Sequence, residues 1–116
     1  MLTVKLLSIA TSPHDQELGL QFVRSIPKDS GMLFSYKSPR VLSFWMRNCY
    51  IPLEIMFADS DGVIVKTERM IPLSTRSVSS GRPCVMALEV PAGTLDEAGE
   101  VVGKKLTVGD GVASIA

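Results

Sequence analysis

The sequence predicts an α+β, β-rich fold: a small mixed sheet or partly open barrel of about seven short strands with two short helices. Three observations point there. Apolar and polar residues alternate over short stretches, the period-two pattern of half-buried strands. Gly, Pro, Asn, Asp and Ser clusters punctuate those stretches at short intervals. Only two segments open with helix-start chemistry, and neither is long. The 116 residues fit one domain, 1–116, with a single core.

Residues 2–9 alternate loosely and predict a first strand, Leu2, Val4 and Leu6 opposing Thr3 and Lys5. A helix follows: Ser12 suits the N-cap, Pro13 the first helical position and Asp15 the positive dipole end. Leu18, Phe22 and Ile26 share a stripe at helical spacing, and Pro27 ends the segment. Gly19 inside it either permits close packing or stops the helix early. Residues 32–36 form a second strand, 37–40 a turn and 41–47 a third strand, with Phe44 and Met46 on one face and Trp45 and Arg47 on the other. Pro52 breaks the ladder, because it has no N–H to donate. Residues 53–58 and 63–67 make a hairpin about Asp59-Ser60-Asp61-Gly62. Residues 68–83 read as a long exposed loop, and 84–90 as a strand apolar on both faces and therefore central. Thr94 and Glu97 have capping-box spacing and open a helix to about residue 102. Two short strands, 106–108 and 112–115, finish the chain about a Gly109-Asp110-Gly111 turn.

Composition excludes several function classes. Lys+Arg 12 balances Asp+Glu 12, so the basic face of a nucleic-acid binder is not expected. No apolar run has the length of a membrane span. The N-terminal ten residues lack the basic lead of an export signal, which predicts a cytoplasmic protein. Cys49 and Cys84 form no CxxC pair and read as free thiols. His14 is the only histidine, so neither a histidine-rich metal site nor a histidine-based catalytic pair is expected, and no metal or other cofactor is implied.

The residues that could carry chemistry are Trp45, Arg47, Asn48, Glu89, Arg24 and Glu54. Glu89 stands in an apolar strand, where an unpaired carboxylate is costly. It must reach water, pair with a cation such as Arg24 or Arg47, or hold its proton. Glu54 poses the same question as it enters a strand. Trp45 either fills core or stacks on a ligand. Arg47 offers a planar fork for a carboxylate or phosphate, and the Asn48 amide holds either its own backbone or a ligand. Cys49, with no base at hand, reads as an inert thiol.

The strings Gly31-Met32-Leu33-Phe34 and Phe44-Trp45-Met46-Arg47-Asn48, with Ile51-Pro52-Leu53-Glu54-Ile55, Phe57, Asp61-Gly62 and Leu88-Glu89, resemble the prokaryotic family known as domain of unknown function 192. Thr11, Glu17, Gly19-Leu20, Arg24, Pro27, Gly93 and Gly109-Asp110 extend the likeness over most of the chain. Cys49 stands where that family usually has threonine, Glu54 where it has aspartate and Gln21 where it has methionine. The resemblance implies a compact β-rich domain and no established activity.

Three functional readings follow. The first is a binding domain for a small polar or anionic ligand, with its pocket around the Phe44–Asn48 motif. The second is a small hydrolase or isomerase using the Glu54 and Glu89 carboxylates, which requires both to face one cleft within about 10 Å. The third is a protein-interaction module acting through a sheet edge or the 68–83 loop. Oligomeric state is not legible.

Overall fold

Short alternating strands bury one face each only if they join into a sheet and the sheet curls. The computed structural model, which describes residues 1–116, shows how. The elements run β1 (Leu2–Ala10), α1 (Pro13–Leu18), β2 (Ser30–Phe44), β3 (Leu53–Ala58), β4 (Ile64–Met70), β5 (Val78–Pro91), α2 (Thr94–Ala98), β6 (Leu106–Gly109) and β7 (Val112–Ile115). All seven strands form one mixed sheet in the order β4-β3-β5-β2-β1-β7-β6. Only β1 and β2 pair in parallel, and the α1 segment makes that crossover, as a parallel connection requires. The sheet curls into a half-barrel. Its two ends meet where β4 begins: Val63 bridges Lys105, Ile64 N–H donates to Lys104 C=O, and Leu106 N–H donates to Gly62 C=O.

β5 is central, between β3 and β2, as its two apolar faces predict. The alternation of β3 and β5 divides the core in two. Ile55, Phe57 and Ala87 join Met32, Phe34, Leu42, Met46 and Cys49 on one face. Met56, Leu88 and Val90 join Leu33, Val4, Val101 and Ile115 on the other.

Five expectations are corrected. The first helix ends at Leu18 rather than reaching 26, because Gly19 takes φ +52. Beyond that point the helical stripe loses its meaning, and Phe22 is 60% exposed. The turn at 37–40 does not divide two strands: β2 runs unbroken from Ser30 to Phe44, and residues 36–39 swell outward as a bulge between the pairs Ser35↔Met86 and Arg40↔Cys84. That strand stops at Phe44 rather than 47. The 68–83 loop shrinks to 71–77, since β4 extends to Met70 and β5 starts at Val78. Pro83 is tolerated inside β5 because a second bulge lies there. Its missing donor is offset by Ser80, whose hydroxyl accepts from Leu42 N–H at 2.8 Å and donates to Arg82 C=O at 2.8 Å. The second helix stops at Ala98, and neither Thr94 nor Glu97 caps it: the Thr94 hydroxyl turns back to donate to Pro91 C=O at 2.7 Å.

Candidate functional site

α1 is too short to bury a face of its own, and Gly19 turns the chain back over β2. Gln16 fixes the helix in place by donating from Nε2 to Ser35 C=O at 2.9 Å and Ala10 C=O at 3.3 Å. Gly19 rests against the Phe34 ring, where an added Cβ would meet Cζ at 3.4 Å. Between this α1–Gly19 arch, the β2 bulge and the 45–49 segment lies a cavity of about 570 Å³. Phe34, Phe44, Cys49 and Glu89 line its interior, and Gln16, Gln21, Tyr36 and Trp45 its walls. Glu17, Lys37 and Arg40, all exposed, stand at its rim.

Glu89 is the unusual member. It is 4% exposed and takes part in no ion pair; since no fully buried side-chain oxygen is left without a partner, its carboxyl oxygens keep their contact with the cavity. Its cross-strand partners, Met32 on β2 and Ile55 on β3, are apolar. Burial pushes its pKa up from 4.5 to about 8, so at neutral pH the side chain is mostly a neutral acid that donates one hydrogen bond and accepts others. Burial, with a smaller push from Glu89, lifts the Cys49 thiol to about 11. That thiol stays protonated and is a poor nucleophile. Burial also raises Tyr36, against the lowering effect of Arg40, whose guanidinium lies 4.6 Å from the ring centroid.

The six residues singled out in the sequence occupy four different places. Trp45, 44% exposed, and Glu89 line the cavity. Arg47 and Asn48 stand behind its wall. The Arg47 guanidinium packs 5.5 Å from the Trp45 ring centroid. Asn48, at φ +59, accepts from Phe22 N–H at 2.8 Å through its backbone carbonyl and donates from side-chain Nδ2 to Gln21 Oε1 at 3.2 Å. It thus ties the arch to the 45–49 segment and holds Phe22 at φ +67, a conformation that costs a bulky residue about 1–3 kcal/mol. Arg24 lies farther out, 5.8 Å from the Tyr50 ring centroid.

Glu54 is elsewhere. Ile55 pairs directly with Glu89, and Glu54 with Val90, so the two carboxylates point to opposite faces of the sheet. The paired-carboxylate mechanism therefore has no common cleft. Glu54, 6% exposed, accepts from Leu95 N–H at 3.0 Å and faces Arg69 at 3.8 Å. It satisfies a donor in the first turn of α2 that no local cap reaches. Removing it in Glu54→Ala leaves that N–H unpaired, and urea unfolding should show a loss of about 1–3 kcal/mol.

Gln16, Tyr36, Lys37 and Arg40 were not singled out in advance. Nothing local marks them: a helix and a bulge distant in sequence bring them together. The cavity carries two cations and two carboxyls, so its charge alone does not select an anion.

Residues 3–108 match the family DUF192, described as "Uncharacterized ACR". The chain belongs to that family. Two solved structures share the DUF192 fold with it. One, provisionally described as a transcription regulator from Sinorhizobium meliloti 1021, has TM-score 0.81 and 36% identity over 84% of this chain and 76% of its own. The other, a protein of unknown function from Novosphingobium aromaticivorans DSM 12444, has TM-score 0.81 and 29% identity over 84% of this chain and 71% of its own. No curated protein matches. The DUF192 strings Gly31–Phe34 and Phe44–Asn48 supply Phe34, Phe44 and Trp45 to the cavity, with Arg47 and Asn48 behind it. No helix of this DUF192 chain is long and apolar enough to cross a membrane.

Proposed function

We propose that this DUF192 chain is a binding domain for a small polar ligand held between the α1–Gly19 arch and β2. One observation carries the reading: Glu89, a buried carboxyl without a partner, faces a cavity of about 570 Å³. Holding such a group without a protein partner costs desolvation, and a ligand that supplies hydrogen bonds from the cavity side recovers part of it. Trp45 offers a face for stacking, with Arg47 bracing its ring. Asn48 contributes by holding Gln21 and the arch, and Arg24 lies at the outer margin.

Binding is favoured over catalysis because the cavity holds one neutral acid and one protonated thiol, with no activated nucleophile beside them. The regulator description attached to the S. meliloti protein is not carried over, since twelve basic residues against twelve acidic ones give little counterion release on a phosphate backbone. A fragment screen by two-dimensional NMR tests the reading. Hits should shift the amides of residues 16–21, 34–45 and 89 together. A library that moves none of them, or only amides on the α2 face, defeats it.

A further inference from the structure

We propose that the cavity takes its ligand amine-first: the ligand is a small organic molecule with a primary ammonium or amidinium group, which pairs with the Glu89 carboxylate among the rings of Phe34, Phe44 and Trp45. This rests on the binding-domain reading above and adds the chemical class of the ligand.

The interior lacks a cation. Of the charged side chains that line the cavity, the only basic ones are Lys37, on the exposed bulge of β2, and Arg40, exposed at its end. Arg40 is engaged over the outer Tyr36 ring. Neither makes an ion pair with Glu89. Around the carboxyl, β2 and β3 present the apolar Met32 and Ile55. Phe34 and Phe44 meet edge-to-face at 4.9 Å between centroids, and Trp45 stands at the opening. Rings that line the same cavity as a lone carboxylate lower the dielectric around it, the charge favours a cation, and any ring face turned to the ligand adds to that preference. An ammonium also brings three donors to an acceptor that has none. Where Glu89 is ionised, a carboxylate ligand would have to sit against a second negative charge; where Glu89 holds its proton, such a ligand gains a hydrogen bond but no ion pair. The rim is where an anionic end fits: Lys37 and Arg40 face solvent there, partly offset by Glu17.

Association has a proton balance. In the empty cavity Glu89 holds its proton to about pH 8; as the ammonium docks, that proton leaves to solvent and the carboxylate–ammonium pair forms. The other titratable groups facing Glu89, the Tyr36 phenol and the Cys49 thiol, are both pushed upward by burial and keep their protons through this range. Affinity for an amine should therefore rise about tenfold per pH unit between pH 6 and 7 and flatten above 8, with up to one proton released per ligand bound.

Three near-isosteric probes decide it: 2-phenylethylamine, 2-phenylethanol and phenylacetate, titrated at pH 6, 7 and 8 and followed by amide shifts and by calorimetry in buffers of differing ionisation enthalpy. At pH 8 the amine should bind at least tenfold more tightly than either other probe. Glu89→Gln should abolish that preference and the proton release while still binding the alcohol. Preference for phenylacetate, or an amine preference that survives in Glu89→Gln, overturns the inference and leaves the pocket standing. If none of the three probes perturbs the cavity amides at any pH, both the inference and the binding-domain reading fail.

Discussion

Replacing Glu89 by glutamine stabilises the folded chain at pH 7 by about 2–3 kcal/mol and does nothing, or slightly harms it, at pH 4. The reason is proton linkage. Glu89 titrates at about 8 when folded and near 4.5 when not. Below pH 4 both states hold the proton, and the buried acid costs no more than a neutral group. Between about pH 4.5 and 8 the unfolded chain gives up its proton while the folded chain keeps it, so stability falls across that window and levels off above it. Each pH unit there is worth about 1.4 kcal/mol. Glutamine removes the titration; its buried amide costs about 1 kcal/mol in return, which sets the smaller net gain. Urea unfolding of both proteins at pH 4, 6, 7 and 8 measures the effect. Parallel stability curves would show that Glu89 is ionised and satisfied in the fold.

The second large effect is expected at Gly31. Its Cβ position is occupied by the Glu89 backbone carbonyl, and the Cγ1 atoms of Val4 and Val90 each lie 3.1 Å away. β1, β2 and β5 approach so closely there that no side chain fits. Gly31→Ala should cost about 3 kcal/mol by overpacking and should displace Glu89 with its strand. Gly109→Ala is the control: nothing lies within 4 Å of its Cβ position, and the cost should stay below about 0.5 kcal/mol. Chemical denaturation that finds the two variants equally stable would contradict the close packing that positions Glu89.

These two residues show what the linear chain reveals. Glu89 is conspicuous in the sequence because Leu88, Val90 and Ala87 surround it with apolar side chains, and a carboxyl there poses a question whatever the fold. Trp45 is likewise visible as the only tryptophan of the chain, although the strand face expected to carry it with Arg47 ends at Phe44. The Asp59–Gly62 hairpin and the centrality of β5 follow from local pattern, since turn chemistry and alternation are both short-range. Where pattern and fold differ, long-range pairing overrides local punctuation in β2 and β5, and a single glycine overrides helical periodicity in α1. Ser80 and Pro83 look like loop residues, yet β2 pairs across them and uses the Ser80 hydroxyl to bridge the bulge. Leu18 and Phe22 keep helical spacing, yet Gly19 turns out of the helix between them. The relation of Glu54 to Glu89 depends on register, and a one-residue slip would have placed them on the same face. Gln16 reaches the site through the crossover between β1 and β2, and Tyr36 and Arg40 through the bulge of β2.

The identity of the site stands on one physical claim, that Glu89 is enclosed, unpartnered and open only to the cavity. Carbon-detected NMR titration of protein labelled at the glutamate carboxyl carbons measures this directly. One resonance, missing from Glu89→Gln, should titrate near pH 8. A spectrum in which every glutamate titrates near 4.5 would mean that Glu89 is hydrated or paired, and the proposed site would lose its foundation.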